Sequence, residues 1–249
     1  MAVGTHLSAA AIGFLAGIGI THVAVYPPPS ITIKITGNEL QTPGNPLQFG
    51  QVYEASSIML FAALQKAGVI NINILKAADD KQELKRLLER ALQQSDMVLF
   101  TGGVSVGDYD FVVQISDECG IEKQFHKIKQ RPGKPLFFGT AKNKMVFGLP
   151  GNPSSSLVCF YEYVLPMIEG MMQKKSSVTK LNAKLTHAYP KMAGLTHFLK
   201  ANYNNGSVTP LHAQESFRLH SFAQANCLIV LEELKENYEE GDEVEVHFI

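Results

Sequence analysis

The chain has 249 residues, 45% of them hydrophobic and 18% charged, and a formal net charge of -1. This is a globular composition, which excludes a disordered or collagen-like chain and argues against a basic nucleic-acid binder. The length suits one large domain, or one of about 150 residues with a smaller companion.

No apolar run reaches the roughly 20 residues of a membrane span. The opening MAVGTHLSAAAIGFLAGIGI is broken by glycines, a histidine and hydroxyl residues and lacks the basic start of a signal peptide. Ser8 to Gly17 has helix spacing behind a serine cap, so a buried helix is expected there. The prolines at 27, 28 and 29 form a rigid connector into Ser30 to Thr36, SITIKIT, a β-branched strand. Glu54 to Lys66 reads as an amphipathic helix stopped at Gly68, Ile70 to Leu75 as a strand, and Asp79 to Gln94 as a helix with leucines 84, 87, 88 and 92 on one face. Asp96 to Phe100 is a short apolar strand that runs straight into TGGVSVGDYD, and Phe111 to Glu118 is helical. Strands around Pro135 to Gly139 and Lys144 to Phe147 lead to GLPGNPSSS and a long helix from about Ser154 to Met172.

This alternation predicts an α/β fold, a mostly parallel sheet with helices on both faces. After Lys174-Lys175-Ser176-Ser177 the texture changes to short strand-like runs split by turn residues. The expected division is an α/β domain over residues 1–175 and a small β-barrel-like domain over residues 176–249. Cys119, Cys159 and Cys227 have neither metal-ligand spacing nor a pairable cluster, which fits a reducing cytoplasm.

Ligands of parallel sheets collect at the carboxyl ends of the strands, where three Gly-containing loops fall: TGNEL, TGGVSVGDYD and GLPGNP. Glycines let a backbone pass close to a ligand, and successive N–H groups before a helix suit phosphate or another oxyanion. A plain tight turn reads the same way. The second loop is neither a Walker loop nor a dinucleotide fingerprint. Alternation would place Lys127, Lys129 and Arg131 on one side of a strand, facing a polyanion or simply solvent, while Lys134 is aimed by a Pro-Gly-Lys-Pro turn. Carboxylates at Glu39, Asp79, Asp80, Asp108 and Asp110 suggest Mg²⁺ bridging to the anion, although Asp79, Asp80 and Asp108 serve equally as helix caps. Neither a zinc-type histidine pair nor a Gly-x-Ser-x-Gly nucleophile elbow occurs.

Three segments, TGGVSVGDYDFV, RPGKPLFFG and FGLPGNPSSSLVCFYEYVLPMI, in this order and spacing, closely resemble the MoeA family of molybdenum cofactor synthesis, which includes E domains such as gephyrin's. SITIKITGNELQTPGNPLQFGQVYEASSIML is similar to the family's strand, turn and following helix, and QESFRLHSFAQANCLIVL to a segment of its terminal β domain. The resemblance implies a molybdopterin molybdenumtransferase, which inserts molybdate into adenylylated molybdopterin and releases AMP with Mg²⁺. It implies pterin and nucleotide contacts at Thr36, Gly37, Gly102, Gly103, Ser105 and Gly107, and at Pro150, Gly151, Asn152 and Ser154. Lys127, Arg131 and Lys134 become the molybdate and phosphate contacts. Asp110, Glu39 and Asp79 take the catalytic positions, with Asp79 and Asp110 as Mg²⁺ ligands.

Two rival functions are a stand-alone molybdopterin adenylyltransferase and a non-catalytic scaffold. The sequence departs from the family at Asn38, where the turn has Asp, at Glu54-Ala55-Ser56-Ser57, where Asp-Ser-Asn-Ser is usual, and at Cys227, which replaces a glycine. Asn38 removes a charge that would help to hold Mg²⁺. Family members carry further N-terminal domains that help to form a homodimer and complete its site. The expectation is therefore a chain without those domains that binds pterin nucleotide but inserts molybdate poorly alone.

Overall fold

A computed structural model describes residues 2–37, 39–77, 80–102 and 111–249. The first lobe comprises α1 (Ala9–Gly17), β1 (Ile31–Thr36), β2 (Leu40–Gln41), β3 (Val52–Tyr53), α2 (Ser56–Lys66), β4 (Ile72–Ala77), α3 (Lys81–Gln94), β5 (Met97–Thr101) and α4 (Phe111–Glu118). It continues through β6 (Glu122–His126), β7 (Gln130–Arg131), β8 (Phe137–Ala141), β9 (Lys144–Leu149), α5 (Pro153–Cys159), a π-helical turn (Phe160–Val164) and α6 (Leu165–Met171).

Its sheet has the order β4-β1-β5-β9-β8-β6. The first four strands are parallel, β8 runs against β9, and β6 runs against β8 and so in the direction of the first four. All of β1 is buried, as befits a central parallel strand covered on both faces. Ile31, Ile33 and Ile35 pack under α2, α5 and α6, while Val98 and Phe100 of β5 meet Leu84, Leu87 and Leu88 of α3 on the other face.

Lys34 shares that second face and is fully buried. Its ammonium donates to the Leu84 carbonyl and lies 5.0 Å from the Phe100 ring centre. Burial pulls its pKa down to about 8.

Local chemistry accounts for the helix starts. Asp80 caps α3 by accepting from the Glu83 amide at 2.8 Å. The Glu54 carboxylate accepts from both the amide and the hydroxyl of Ser57, so α2 starts at Ser56 and Glu54 stands ahead of it as a cap. The π turn falls just before Pro166, which has no N–H to return to the carbonyl of Glu162, four residues back.

The second lobe contains β10 (Lys180–Leu185), β11 (Tyr189–Pro190), β12 (Thr196–Asn204), β13 (Ser207–Pro210), α7 (His220–Gln224), β14 (Cys227–Leu231), β15 (Asn237–Tyr238) and β16 (Glu243–Phe248). Its sheet runs β13-β10-β16-β14-β12, and β12 also pairs with β13, which closes a five-stranded barrel. Leu185, Leu199, Val208, Ile229 and Val246 fill the interior.

The lobes are joined by more than chain connectivity. β7, from the middle of the first lobe, pairs with β12 through Gln130 with Thr196 and Arg131 with His197. Phe198, Phe222 and Leu228 from outside the barrel enter the core beneath α5 and α6. His247 of β16 is buried there, with Nδ1 2.9 Å from Glu162 Oε2 and Nε2 on Glu245 Oε1. Carboxylates only accept, so both ring nitrogens donate. Burial alone would lower the pKa of this imidazole, but the two carboxylates raise it above the ordinary histidine value.

Two sequence expectations fail. α1 forms, with Ser8 Oγ accepting from the Ala11 amide, but none of its residues is buried, and Ile12 and Phe14 are 57% and 61% exposed. AAAIGFLAG is apolar all round and has no preferred face to seat on a core. Lys127, Lys129 and Arg131 do not share a strand face, because β6 ends at His126 and Lys127 adopts a left-handed φ of 66°. The chain folds back there, with the Ile128 amide donating to the Lys134 carbonyl at 2.9 Å. Lys129 turns to pair with Glu233 at 2.8 Å. Among the described residues no helix is long and apolar enough to cross a membrane.

Candidate functional site

β1, β5 and β9 are neighbours in the sheet, and each ends in a loop on its carboxyl side. Thr36-Gly37, Thr101-Gly102 and Pro150-Gly151 therefore emerge side by side. Gly102 has φ +83°, and a Cβ there would stand 2.9 Å from the Thr36 carbonyl oxygen and 3.2 Å from its hydroxyl. A Cβ on Gly151 would stand 3.7 Å from Gly102 Cα. The three strand ends thus lie close together and form a shelf of backbone, with the Glu39 and Leu40 side chains against Gly37, of the kind that suits close backbone approach by a ligand. Behind the shelf α5 begins, with Pro153 in its first turn and Ser154, Ser155 and Ser156 buried. Ser156 donates to the Pro150 carbonyl, which ties the loop to the helix. The Ser154 hydroxyl is buried without a hydrogen-bond partner among the described residues.

Next to the shelf lies a cleft of about 440 Å³ between the lobes. The first lobe lines it with Arg131, Lys134, Pro150, Asn152 and Ser155, and the barrel with Leu195, Gln214, Glu215 and Ser216. Asn152 Nδ2 donates to Ser216 Oγ at 3.0 Å across the gap. Arg131 and Lys134 are exposed, and among the described residues neither is tied up in an ion pair. A guanidinium and an ammonium so placed can meet an oxyanion with charge-assisted hydrogen bonds.

The turn that carries them is held from below. Gln130 Nε2 donates to the Pro132 carbonyl at 2.9 Å and contacts Cys159 Sγ at 3.6 Å, while its Oε1 accepts from the Tyr163 hydroxyl. A Cβ on Gly133 would collide with Gln130 Nε2 at 2.5 Å and Cys159 Sγ at 2.7 Å, so the turn passes where only glycine fits. Burial pushes the Cys159 thiol and the Tyr163 phenol upward, and both stay protonated. Burial, then the charges of Lys191 and Arg131, lower His197 to about 4, so a neutral imidazole stands behind Arg131.

The structure thus brings Thr36, Gly37, Gly102 and Gly151 together at the shelf, places Arg131, Lys134, Pro150 and Asn152 in the cleft, and buries Ser154 behind it. Glu39 is exposed just beyond the first turn, and Lys127 is not among the residues that line the cleft. Asn38, Asp79, Gly103, Ser105, Gly107 and Asp110 lie outside the described residues. Sequence reasoning assigned no role to Gln130, Leu195, Gln214, Glu215 or Ser216. The polar Gln-Glu-Ser run between apolar strands was a visible signal, but only the barrel's placement turns it toward Arg131.

A family model described as a probable molybdopterin binding domain matches residues 32–170. The chain belongs to that family. A second model, described as the MoeA C-terminal region (domain IV), matches residues 182–249 and covers the barrel, which makes this a MoeA-type chain. It is 33% identical to a molybdopterin molybdenumtransferase of Haemophilus influenzae over 98% of this chain and 62% of that protein. It is 31% identical to one of Bacillus subtilis over 99% of this chain and 58% of that protein. The crystal structure of a molybdopterin biosynthesis MoeA protein from a Pyrococcus species superposes with a TM-score of 0.84 at 32% identity, over 98% of this chain and 60% of that one. The chain therefore spans about three fifths of the length of these relatives.

Proposed function

We propose that this chain binds adenylylated molybdopterin along the shelf, holds molybdate in the adjoining cleft, and serves insertion of molybdate into the pterin dithiolene with release of AMP. The observation that carries this reading is the conjunction of backbone-lined strand ends with two cations, Arg131 and Lys134, on the wall of one cleft and without an ion pair among the described residues. The protein's part is placement. Backbone groups at Gly102 and Gly151 position the pterin nucleotide, and Arg131 and Lys134 hold the oxyanion near the sulfurs. No side-chain nucleophile is required, and buried Cys159 is held as a thiol beneath the turn.

The barrel supplies a wall of the cleft, which a stand-alone adenylyltransferase of the first-lobe type would lack, and a pure scaffold has no use for Gly102 pressed against Thr36. The Mg²⁺ implied by the resemblance would rest on Asp79 and Asp110, which lie outside the described residues. Among the described residues no group of three His, Cys, Asp or Glu side chains is arranged to hold a metal ion, and Glu39 alone does not satisfy an octahedral cation. No step is routed through it.

A division near residue 175, a cytoplasmic location and pairing with a second copy belong to the same proposal. Exposed apolar residues such as Phe14, Phe49 and Val52 offer surface for pairing. Isothermal titration of molybdopterin-AMP into the chain, with and without sodium molybdate, tests the function. Binding of the nucleotide, followed by a molybdate-dependent signal, is expected. Nucleotide binding that ignores molybdate would remove the insertion step from the reading.

A further inference from the structure

The barrel wall of the cleft is not a regular element. Residues 211–219 form a loop laid over the outer face of β12, and the stretch from Gln214 to Ser216 lines the cleft. Such a segment needs something to fix it, and one buried cation does so. Lys200, on β12, is 2% exposed. Strand alternation turns it away from Leu199 and Ala201 of the barrel interior, to the side of Phe198. Its ammonium donates to three carbonyls of the loop, Ala213 at 2.8 Å, Arg218 at 3.1 Å and Glu215 at 3.4 Å. An ammonium has three protons, and each has an acceptor.

The backbone of the same residue completes the arrangement. The Lys200 amide donates to Gln214 Oε1, and Gln214 Nε2 donates back to the Lys200 carbonyl at 2.8 Å and to the Leu211 carbonyl at 2.7 Å. Ser221 Oγ donates to the Ala213 and Arg218 carbonyls, two of the three that surround the ammonium. Ala213 holds a left-handed φ of 62°, a conformation that a non-glycine residue keeps only where its surroundings impose it. Converging carbonyls leave partial negative charge inside the loop, and removal of the cation would leave that charge uncompensated, with only the Ser221 hydroxyl and the Arg218 amide still donating to the three carbonyls.

We infer that Lys200 is a positioning residue of the oxyanion site: its caged ammonium folds the 211–219 loop so that Gln214 and Ser216 face Arg131 and Lys134 across the cleft. Ser216 is the point of contact, because its hydroxyl accepts from Asn152 of the GLPGNP loop. The link between loop order and molybdate rests on the proposed function, whereas the ordering of the loop does not.

The test compares wild type, Lys200→Met and Lys200→Arg in the full chain by two readouts. Hydrogen exchange monitored by mass spectrometry should show peptides over 211–219 exchanging about tenfold or more faster in Lys200→Met, with β10, β14 and β16 unchanged. Titration of sodium molybdate into the chain loaded with molybdopterin-AMP should show affinity weakened about tenfold, while nucleotide affinity shifts less than about threefold. Lys200→Arg, which keeps the charge and several donors, should recover most of both effects. Unchanged exchange over 211–219 in Lys200→Met would overturn the cage. Faster exchange throughout the barrel, with no recovery by arginine, would reduce Lys200 to a folding residue and also overturn it. Faster loop exchange with unaltered molybdate affinity would overturn the positioning role. If wild type itself binds no molybdate, the functional reading fails, while the exchange comparison still decides whether Lys200 orders the loop.

Discussion

Gly102→Ala perturbs the shelf at its tightest point. The backbone at 102 sits at φ +83°, where a Cβ costs about 1–2 kcal/mol, and that Cβ would stand 2.9 Å from the Thr36 carbonyl oxygen. The obstacle is backbone of the central strand β1, so it cannot rotate aside. Moving the two loops apart adds about 1 kcal/mol or more, for a total of about 2–4 kcal/mol. Gly206→Ala is the control. Its φ is +86°, but nothing lies within 4 Å of the added carbon, so it carries the backbone cost alone. Urea unfolding of both variants isolates the steric part as their difference, and titration with molybdopterin-AMP shows whether the displaced shelf still receives ligand. Gly102→Ala should be less stable than the control by about 1–2 kcal/mol and lose nucleotide binding, while Gly206→Ala binds like wild type. Equal destabilisation with unaltered binding in Gly102→Ala would refute the contact and the shelf's role together.

The other predictions concern the buried polar groups. Lys34 is protonated in both folded and unfolded chains below its lowered pKa of about 8, so its burial penalty is complete at neutral pH and fades as pH rises from about 8 towards 10.5. Lys34→Met should therefore stabilise the chain by about 2–3 kcal/mol at pH 7, with the gain shrinking above pH 8 in urea titrations. His247 is the opposite case. Its pKa is raised by Glu162 and Glu245 against the effect of burial, so its contribution is complete below about pH 6.5 and lost as pH rises through the folded value. His247→Leu should cost about 3 kcal/mol at pH 6 and progressively less at higher pH; a flat difference would mean that the ring is not charged. Tyr163→Phe removes the hydroxyl that Gln130 accepts and should cost about 1 kcal/mol in denaturant midpoint while weakening molybdate binding more than nucleotide binding.

What the sequence made legible follows a physical division. Local patterns were sufficient where local forces decide. The isoleucines of SITIKIT and the span Phe111–Glu118 required only periodicity to be placed, the leucines of α3 periodicity and a cap, and the three Gly-containing turns begin at the strand ends where the loops meet. Long-range forces were the ones missed. The serine cap and the run of helix-forming residues say that AAAIGFLAG is helical but not whether anything covers it. Alternation was extended over Lys127, Lys129 and Arg131 although Pro132 and Gly133 follow, and the chain there turns back instead of staying extended. Neither the pairing of β7 with the barrel strand β12 nor the approach of Gln214, Glu215 and Ser216 to Arg131 leaves a local signature. Lys34 in the core is the plainest example. A lysine in an alternating strand reads as solvent-facing, and only a helix laid over that face makes it a buried amine.

In the proposed function Arg131 and Lys134 hold the oxyanion while the strand-end shelf holds the pterin nucleotide. Titration of sodium molybdate into chain already saturated with molybdopterin-AMP, for wild type and the Arg131→Ala/Lys134→Ala double variant, tests it most directly. Each charge-assisted contact contributes about 1.5–3 kcal/mol, so the double variant should lose molybdate affinity by about 100-fold or more while nucleotide affinity stays within about threefold. Equal loss of both ligands would make the two cations a phosphate clamp, and molybdate binding indistinguishable from wild type would remove the oxyanion from this cleft.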